Sequence, residues 1–318
     1  MHMQKMLLIF LVFFISAVQS QTIHKYYDYQ WKETDGANAR FYGVIKNTDS
    51  GWHRRDYFLH EINNLQMDGT YLDSSCKVPN GFFYYFYANR NLKSSGKYLN
   101  GKKDGWWLSY HNNGIMSDSS FYEDGRIAVT SIGWYPNGFI ADSIIINAQI
   151  RTAFNWFDNG HLSSAGRYSS LGSMIGKWQF FYLSGKLASL ESYNETGHLI
   201  DKTYFDENGN SIDTTDRSKP AEFPGGIKAW QKYLDSKLYF PNQFKIANSD
   251  KAVVVIDFTI KEDGSVENVF IETPFYEPFN DIALNVIKRS PKWNPAFLHN
   301  RNVKFHHRQV VVFNQIIE

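Results

Sequence analysis

Ala252-Val253-Val254-Val255-Ile256-Asp257-Phe258-Thr259-Ile260 decides how the C-terminal part of this chain folds. The stretch is rich in β-branched residues, and Asp263-Gly264 supplies a tight turn, so residues 265–272 are predicted to return as the second arm of a hairpin. Strand alternation puts Ala252, Val254, Ile256, Phe258 and Ile260 on one face, with Asp257 and Thr259 on the other. Downstream, Phe279, Ile282, Ala283, Val286 and Ile287 form the apolar stripe of an amphipathic helix that Pro291 ends. Upstream, Ile227, Trp230, Leu234 and Leu238 share one face of a first helix closed by Pro241. Residues 303–317 read as a last long strand. The expected unit is a small α+β domain with two helices on an antiparallel sheet.

Several short motifs punctuate this segment in order: Phe223-Pro224-Gly225-Gly226, Leu238-Tyr239-Phe240-Pro241, Glu262-Asp263-Gly264-Ser265-Val266, Phe279-Asn280-Asp281-Ile282-Ala283-Leu284 and Ser290-Pro291-Lys292-Trp293-Asn294-Pro295-Ala296. Their succession resembles the C-terminal domain of the TonB energy-transducer family, in the form common in Bacteroidetes-type bacteria, over residues 223–313. The resemblance implies a periplasmic docking module with no chemistry of its own. Such a module pairs its sheet edge with an extended segment of an outer-membrane receptor, a mode called β-augmentation. Each backbone hydrogen bond gained is worth about 0.5–1.5 kcal/mol net, so five or six give weak, reversible pairing. By position, the resemblance makes Val310, Val311, Val312 and Phe313 the partner-binding edge strand, and Pro224-Gly225-Gly226 the entry to the first helix. Trp293 is expected as a core plug against Phe279 and Ile287.

Ahead of this segment the chain repeats itself. Gly105-Trp106-Trp107-Leu108-Ser109-Tyr110-His111-Asn112-Asn113-Gly114-Ile115 is echoed around Gly81, Trp134, Trp156 and Gly176, and turn glycines fall at 114, 138, 160, 185 and 209. Asn91 is expected at the turn position of the first copy, because Asn tolerates positive φ. Each unit reads as one hairpin, and a lone hairpin cannot bury its face, so stacked copies must share a core. The pattern resembles MORN-type repeats over about residues 68–212, with residues 26–65 as a degenerate first copy or cap. Because Trp106, Trp134, Trp156 and Trp178 recur in phase, they are assigned to the core. The division expected is a signal peptide (1–20), a MORN-type β-hairpin repeat domain (21–213), a linker (214–222) and a TonB C-terminal-like domain (223–318).

Lys5, an apolar run over residues 6–18 and the small residues Ala17 and Ser20 describe a secretory signal peptide cut before Gln21. The run is 13 residues, against the roughly 20 that a spanning helix needs. An uncleaved inner-membrane anchor is the rival reading, and membrane association is allowed but not required. The 33 basic residues, less Lys5, meet 32 acidic ones, so charge gives no case for nucleic acid or an anionic surface. Cys76 is the only cysteine, which precludes an intramolecular disulfide.

No motif for nucleophilic, metal or phosphate chemistry is present, and no catalytic residue, metal or cofactor is assigned. His306 and His307 are neighbours on a strand and point to opposite faces. The Asp206–Asp213 oxygen ligands resemble a calcium loop, but the glycine comes too early and no Glu follows. The function expected is therefore a non-enzymatic binding or adapter protein of the periplasm or cell envelope. It would dock a protein partner through its C-terminal edge strand. Alternatives are a component of TonB-dependent transmembrane transport (an energy transducer proper), an antitoxin- or immunity-like repeat protein, and last a hydrolase. Two features depart from a working transducer: the expected cleavage of the anchor, and nine prolines in 318 residues, too few for a long Pro-rich spacer. The same edge strand offers a homodimer contact.

Overall fold

The computed structural model describes residues 22–59, 64–147, 150–246 and 251–315. The apolar start, the expected cleavage point and the last three residues of the chain lie outside them. Sixteen strands come first. They are β1 (Thr22–Tyr27), β2 (Phe41–Thr48), β3 (Gly51–Phe58), β4 (Leu65–Tyr71), β5 (Pro79–Phe86), β6 (Leu92–Leu99), β7 (Lys102–Tyr110) and β8 (Met116–Glu123). The series continues with β9 (Arg126–Trp134), β10 (Ile140–Asn147), β11 (Ile150–Trp156), β12 (Leu162–Tyr168), β13 (Met174–Phe181), β14 (Leu187–Tyr193), β15 (Leu199–Phe205) and β16 (Ser211–Ile212). They pair antiparallel in chain order, without a crossover, as one sheet.

Two kinds of turn join the strands of this array, and the wider kind, confined to one end at first, closes the opposite end as well at 169–173 and 194–198. At one end, Asn100-Gly101 (φ 49° and 85°) joins β6 to β7 and Asp124-Gly125 (φ 49° and 79°) joins β8 to β9, each a two-residue turn with both residues left-handed. At the other end a wider loop recurs: Tyr87 N–H donates to Asn91 O and Arg90 N–H to Tyr87 O, and the same pair forms at 111–115, 135–139, 157–161, 182–186 and 206–210. The left-handed residue of the first loop is Arg90 (φ 72°), which corrects the expectation for Asn91. The repeat places residue 90, 24 positions before Gly114, at that site.

Packing in the array is set by rings laid over glycines. Phe83, Trp107 and Trp178 cover Gly69, Gly96 and Gly166, where an added Cβ would come within 2.1–2.3 Å of the ring. All three rings are buried. Trp107 and Trp178 each donate Nε1–H to a backbone carbonyl, of Lys97 and Arg167, at 3.0 Å. Between them the ring is replaced by a hydroxyl pair, Ser120 and Ser131 at 2.9 Å, so the apolar core divides into separate clusters around Trp107 and Trp178. Trp106, placed in the core from the sequence, is 55% exposed. In the Trp106-Trp107 pair the alternation sends the second ring inward, and Trp134 and Trp156 are only half-buried.

The C-terminal domain follows with α1 (Gly226–Lys237), β17 (Lys251–Ile260), β18 (Val266–Thr273), α2 (Glu277–Lys288), β19 (Ala296–Leu298), β20 (Arg301–Val303) and β21 (Phe305–Asn314). Its three-stranded sheet has the order β18-β17-β21, and β19-β20 forms a separate small hairpin. Ala252, Val254, Ile256, Phe258 and Ile260 are all fully buried, against Phe279, Ala283 and Ile287 of α2 and Trp230 and Leu234 of α1. Ile227 does not join them and is 77% exposed, because it sits in the first turn of α1 beyond the sheet. Trp293 is buried as expected, but its ring meets Phe223, Trp230 and Phe258. Gly264 explains this seat: its carbonyl accepts from Trp293 N–H at 2.8 Å, which pins the residue beneath the β17-β18 turn.

Candidate functional site

β21 is an outer strand: among the described residues it pairs with β17 on one side, from Lys251↔Asn314 to Ile260↔Phe305, and with no strand on the other. The Val-rich run divides by alternation. Val311 and Phe313 are buried in the domain core, while Val312 is 40% exposed and Val310 half-buried. Two side-chain contacts orient the backbone. Val253 O, opposite Val312, accepts from Arg40 Nε at 3.3 Å on the β18 side, and Val310 O accepts from Gln309 Nε2 at 2.6 Å. A residue's N–H and C=O leave a strand on the same side. His306, Arg308, Val310 and Val312 therefore turn theirs toward the open edge, and Val311 and Phe313 turn theirs toward β17. Gln309 thus caps part of the edge, held there as its Oε1 accepts from Trp230 Nε1 at 2.8 Å.

The charges beside this edge are spent inward. Arg308 donates to both oxygens of buried Asp257 at 2.7 Å, and this bidentate pairing holds its pKa above the ordinary value. Lys304 lies between Asp158 of the array, at 2.7 Å, and Glu267 of β18. Burial alone would lower its pKa, but these hydrogen bonds outweigh it and raise it. Neither side chain therefore acts as an outward guard of the kind that protects lone edges. His306 is exposed and His307 packs against Phe258 and Trp293 on the other face, with burial lowering the His307 pKa.

The array and the C-terminal domain meet along the wide loops. Tyr87 stands edge-on to Phe270 of β18, and Lys93 pairs with Glu272. At one end Arg40, buried and with its pKa lowered to about 10 by burial, lies 4.5 Å over the Phe275 ring and reaches Val253 O. At the other end the β19-β20 turn enters the array. Its tip residues, His299 and Asn300, are left-handed (φ 51° and 61°). His299 stacks on Phe180 with centroids 3.6 Å apart, and its Nδ1 meets both oxygens of buried Glu191 at 2.9 and 3.1 Å. Asn300 Nδ2 lies within hydrogen-bonding distance of the Tyr182 hydroxyl, Ala188 O and Phe205 O. Arg301 is buried 5.1 Å over the Phe157 ring, its pKa lowered to about 10 by burial. Sequence reasoning passed over this turn. The signal was present as two residues of turn-forming type, His299-Asn300, between Ala-Phe-Leu and Arg-Asn-Val.

Among the described residues no group of three or more His, Cys, Asp or Glu side chains is placed to hold a metal ion. The Asp206 carboxylate accepts the Asn208 and Asn210 amides of its own loop. No helix among the described residues is long and apolar enough to cross a membrane.

Residues 237–314 match the family model described as the Gram-negative bacterial TonB protein C-terminal. The match takes in the sheet, α2 and the β19-β20 hairpin; α1 and Phe223-Pro224-Gly225-Gly226 precede it. No curated protein matches the chain. Domains of this family are non-catalytic and act in the Gram-negative envelope, where TonB C-terminal domains interact with outer-membrane receptors.

Proposed function

We propose that this chain is a non-enzymatic adapter of the Gram-negative cell envelope that takes an extended partner segment along β21 by β-augmentation. The observation that carries this reading is the position of β21: a ten-residue strand, paired on one side only among the described residues, at the edge of a sheet that matches a receptor-contacting family. A partner strand would bond to the outward groups of His306, Arg308, Val310 and Val312 and displace the Gln309 amide from Val310 O. Five or six such bonds give an affinity of a few kcal/mol, which suits a contact made and broken repeatedly. Export by a cleaved signal peptide places the chain in the periplasm in this reading, and the array is of MORN type. The partner is an extended segment of an outer-membrane receptor or another envelope protein.

The test mixes the full mature chain with synthetic peptides copied from the plug segments of outer-membrane receptors and follows amide exchange along β21. Slowed exchange at Val310 and Val312 is expected. Val312→Pro removes an outward N–H without entering the β17 ladder, so it should abolish that protection while the melting curve stays that of the parent. Peptide protection appearing elsewhere, with β21 unchanged, would overturn the reading.

A further inference from the structure

We infer that the repeat array serves as an intramolecular clamp for the C-terminal domain, with the β19-β20 turn as the ligand of its last repeats. Five of the wide loops, at one end of the array, open on a large side chain, and these form a row: Tyr87, His111, Tyr135, Phe157 and Tyr182. Four of the five bond to a backbone carbonyl 21–23 residues on, those of Tyr110, Trp134, Trp156 and Phe205, at 2.6–2.8 Å. The bonds fix those four rungs to the next repeat, so the row is preorganised. Two strands per repeat set its step at roughly 10 Å.

The C-terminal domain meets this row almost rung by rung. Phe270 takes Tyr87, Lys304 lies 5.1 Å over Tyr135, Arg301 lies over Phe157, and Asn300 bonds to the Tyr182 hydroxyl. Phe157 is the rung whose side chain carries no hydrogen-bonding group, and it is there that a buried guanidinium covers the ring. The deepest contact is the turn itself. His299 lies flat on Phe180, a core residue of the array, and Asn300 reaches two array carbonyls that are 17 residues apart in the chain. A left-handed two-residue turn is stiff and narrow, so little freedom is lost when it is inserted. The clamp engages β18 through Phe270 and Glu272. It leaves exposed Val312 at the opposite edge of the sheet. That last consequence rests on β21 being the docking edge; the clamp itself does not.

The experiment keeps the whole chain. A specific protease site is inserted between Thr215 and Asp216, in the exposed stretch joining the two parts, and the folded protein is cut there. The two pieces should leave a sizing column together. His299→Gly with Asn300→Gly keeps the left-handed turn and deletes its contacts. That variant should weaken the association of the cut pieces at least about tenfold, which corresponds to about 1.4 kcal/mol. Circular dichroism of the uncut variant checks that both parts are folded, and Arg40→Met supplies an independent lesion at the far end of the contact. Separation of the parent pieces on cutting overturns the clamp. Undiminished association in the folded turn variant overturns the turn as its anchor. Val312→Pro should leave co-elution intact, so failure of peptide docking and failure of the clamp are read separately.

Discussion

The Trp178 indole lies directly over Gly166, so closely that a Cβ on that glycine would stand 2.1 Å from ring atom Cδ2. Gly96 under Trp107 and Gly69 under Phe83 repeat the arrangement. Each ring is therefore held by an absence of side chain on the neighbouring strand, and the array tolerates no methyl group there.

Gly166→Ala should destabilise the protein by about 1–3 kcal/mol through overpacking. Trp178→Ala should cost about 3–5 kcal/mol. Trp106→Ala, at the neighbouring but exposed ring, should stay within about 0.5 kcal/mol of the parent. Chemical denaturation of the three variants checks the order, and a Trp106 effect equal to that of Trp178 would refute the assignment of faces.

Gly264 and Gly209 have nearly the same left-handed backbone, φ 83° and 88°. They differ in surroundings: an added Cβ at Gly264 meets Trp293 O at 2.0 Å, whereas at Gly209 it meets nothing within 4 Å. Alanine at either site costs about 1 kcal/mol for the conformation. Gly264→Ala should lose at least about 1 kcal/mol more, because backbone must move. Equal melting temperatures for the two variants would count against the turn-to-Trp293 seat.

Asp56 is buried on the inner face of β3, and burial, only partly offset by Arg54 at 2.9 Å, raises its pKa from 3.8 to about 6. The folded protein then binds more protons than the unfolded chain between those values. Stability from this group is greatest below 3.8, falls as pH rises toward about 6, and is level above it. The loss amounts to about 3 kcal/mol at ~1.4 kcal/mol per pH unit. Asp56→Asn should flatten that part of the profile, which urea titrations at pH 4 and pH 7 will register.

Two buried arginines at the domain contact should respond differently to Met. Arg40 donates to the carbonyls of Ala39, Asn38 and Val253, whereas Arg301 Nε is buried without a hydrogen-bond partner. Removing a satisfied buried donor leaves its acceptors unmet, while removing an unsatisfied one relieves a desolvation cost. Arg301→Met should therefore be near neutral and Arg40→Met destabilising by about 1–3 kcal/mol, as measured by thermal melts.

The C-terminal fold was legible because its signals are local. Alternation in residues 252–260, the Asp263-Gly264 turn and the stripe from Phe279 to Ile287 each speak for one element and agree with one another. The hairpin period was legible for the same reason. Phase was harder: adjacent aromatics such as Trp106-Trp107 satisfy either face, and only the glycine on the neighbouring strand decides between them. The outer position of β21 was expected from the family resemblance, not from its apolar composition, which suits a central strand equally well. The division of its backbone groups between β17 and the open side depends on Arg40 and Gln309, which no pattern reveals. The contact between array and domain left no trace in periodicity. Its members, from Arg40 to Arg301, are joined by tertiary packing alone.

The C-terminal domain touches the array at Arg40 and again at Phe205 O, near its two ends. A free-standing stack of hairpins can gain or lose a unit at small cost, since each unit answers only to its neighbours. Here the docked domain works as a caliper. Adding or deleting one period would carry one jaw about 10 Å off its mark, so the copy number of the repeat is tied to the length of a sheet it does not belong to.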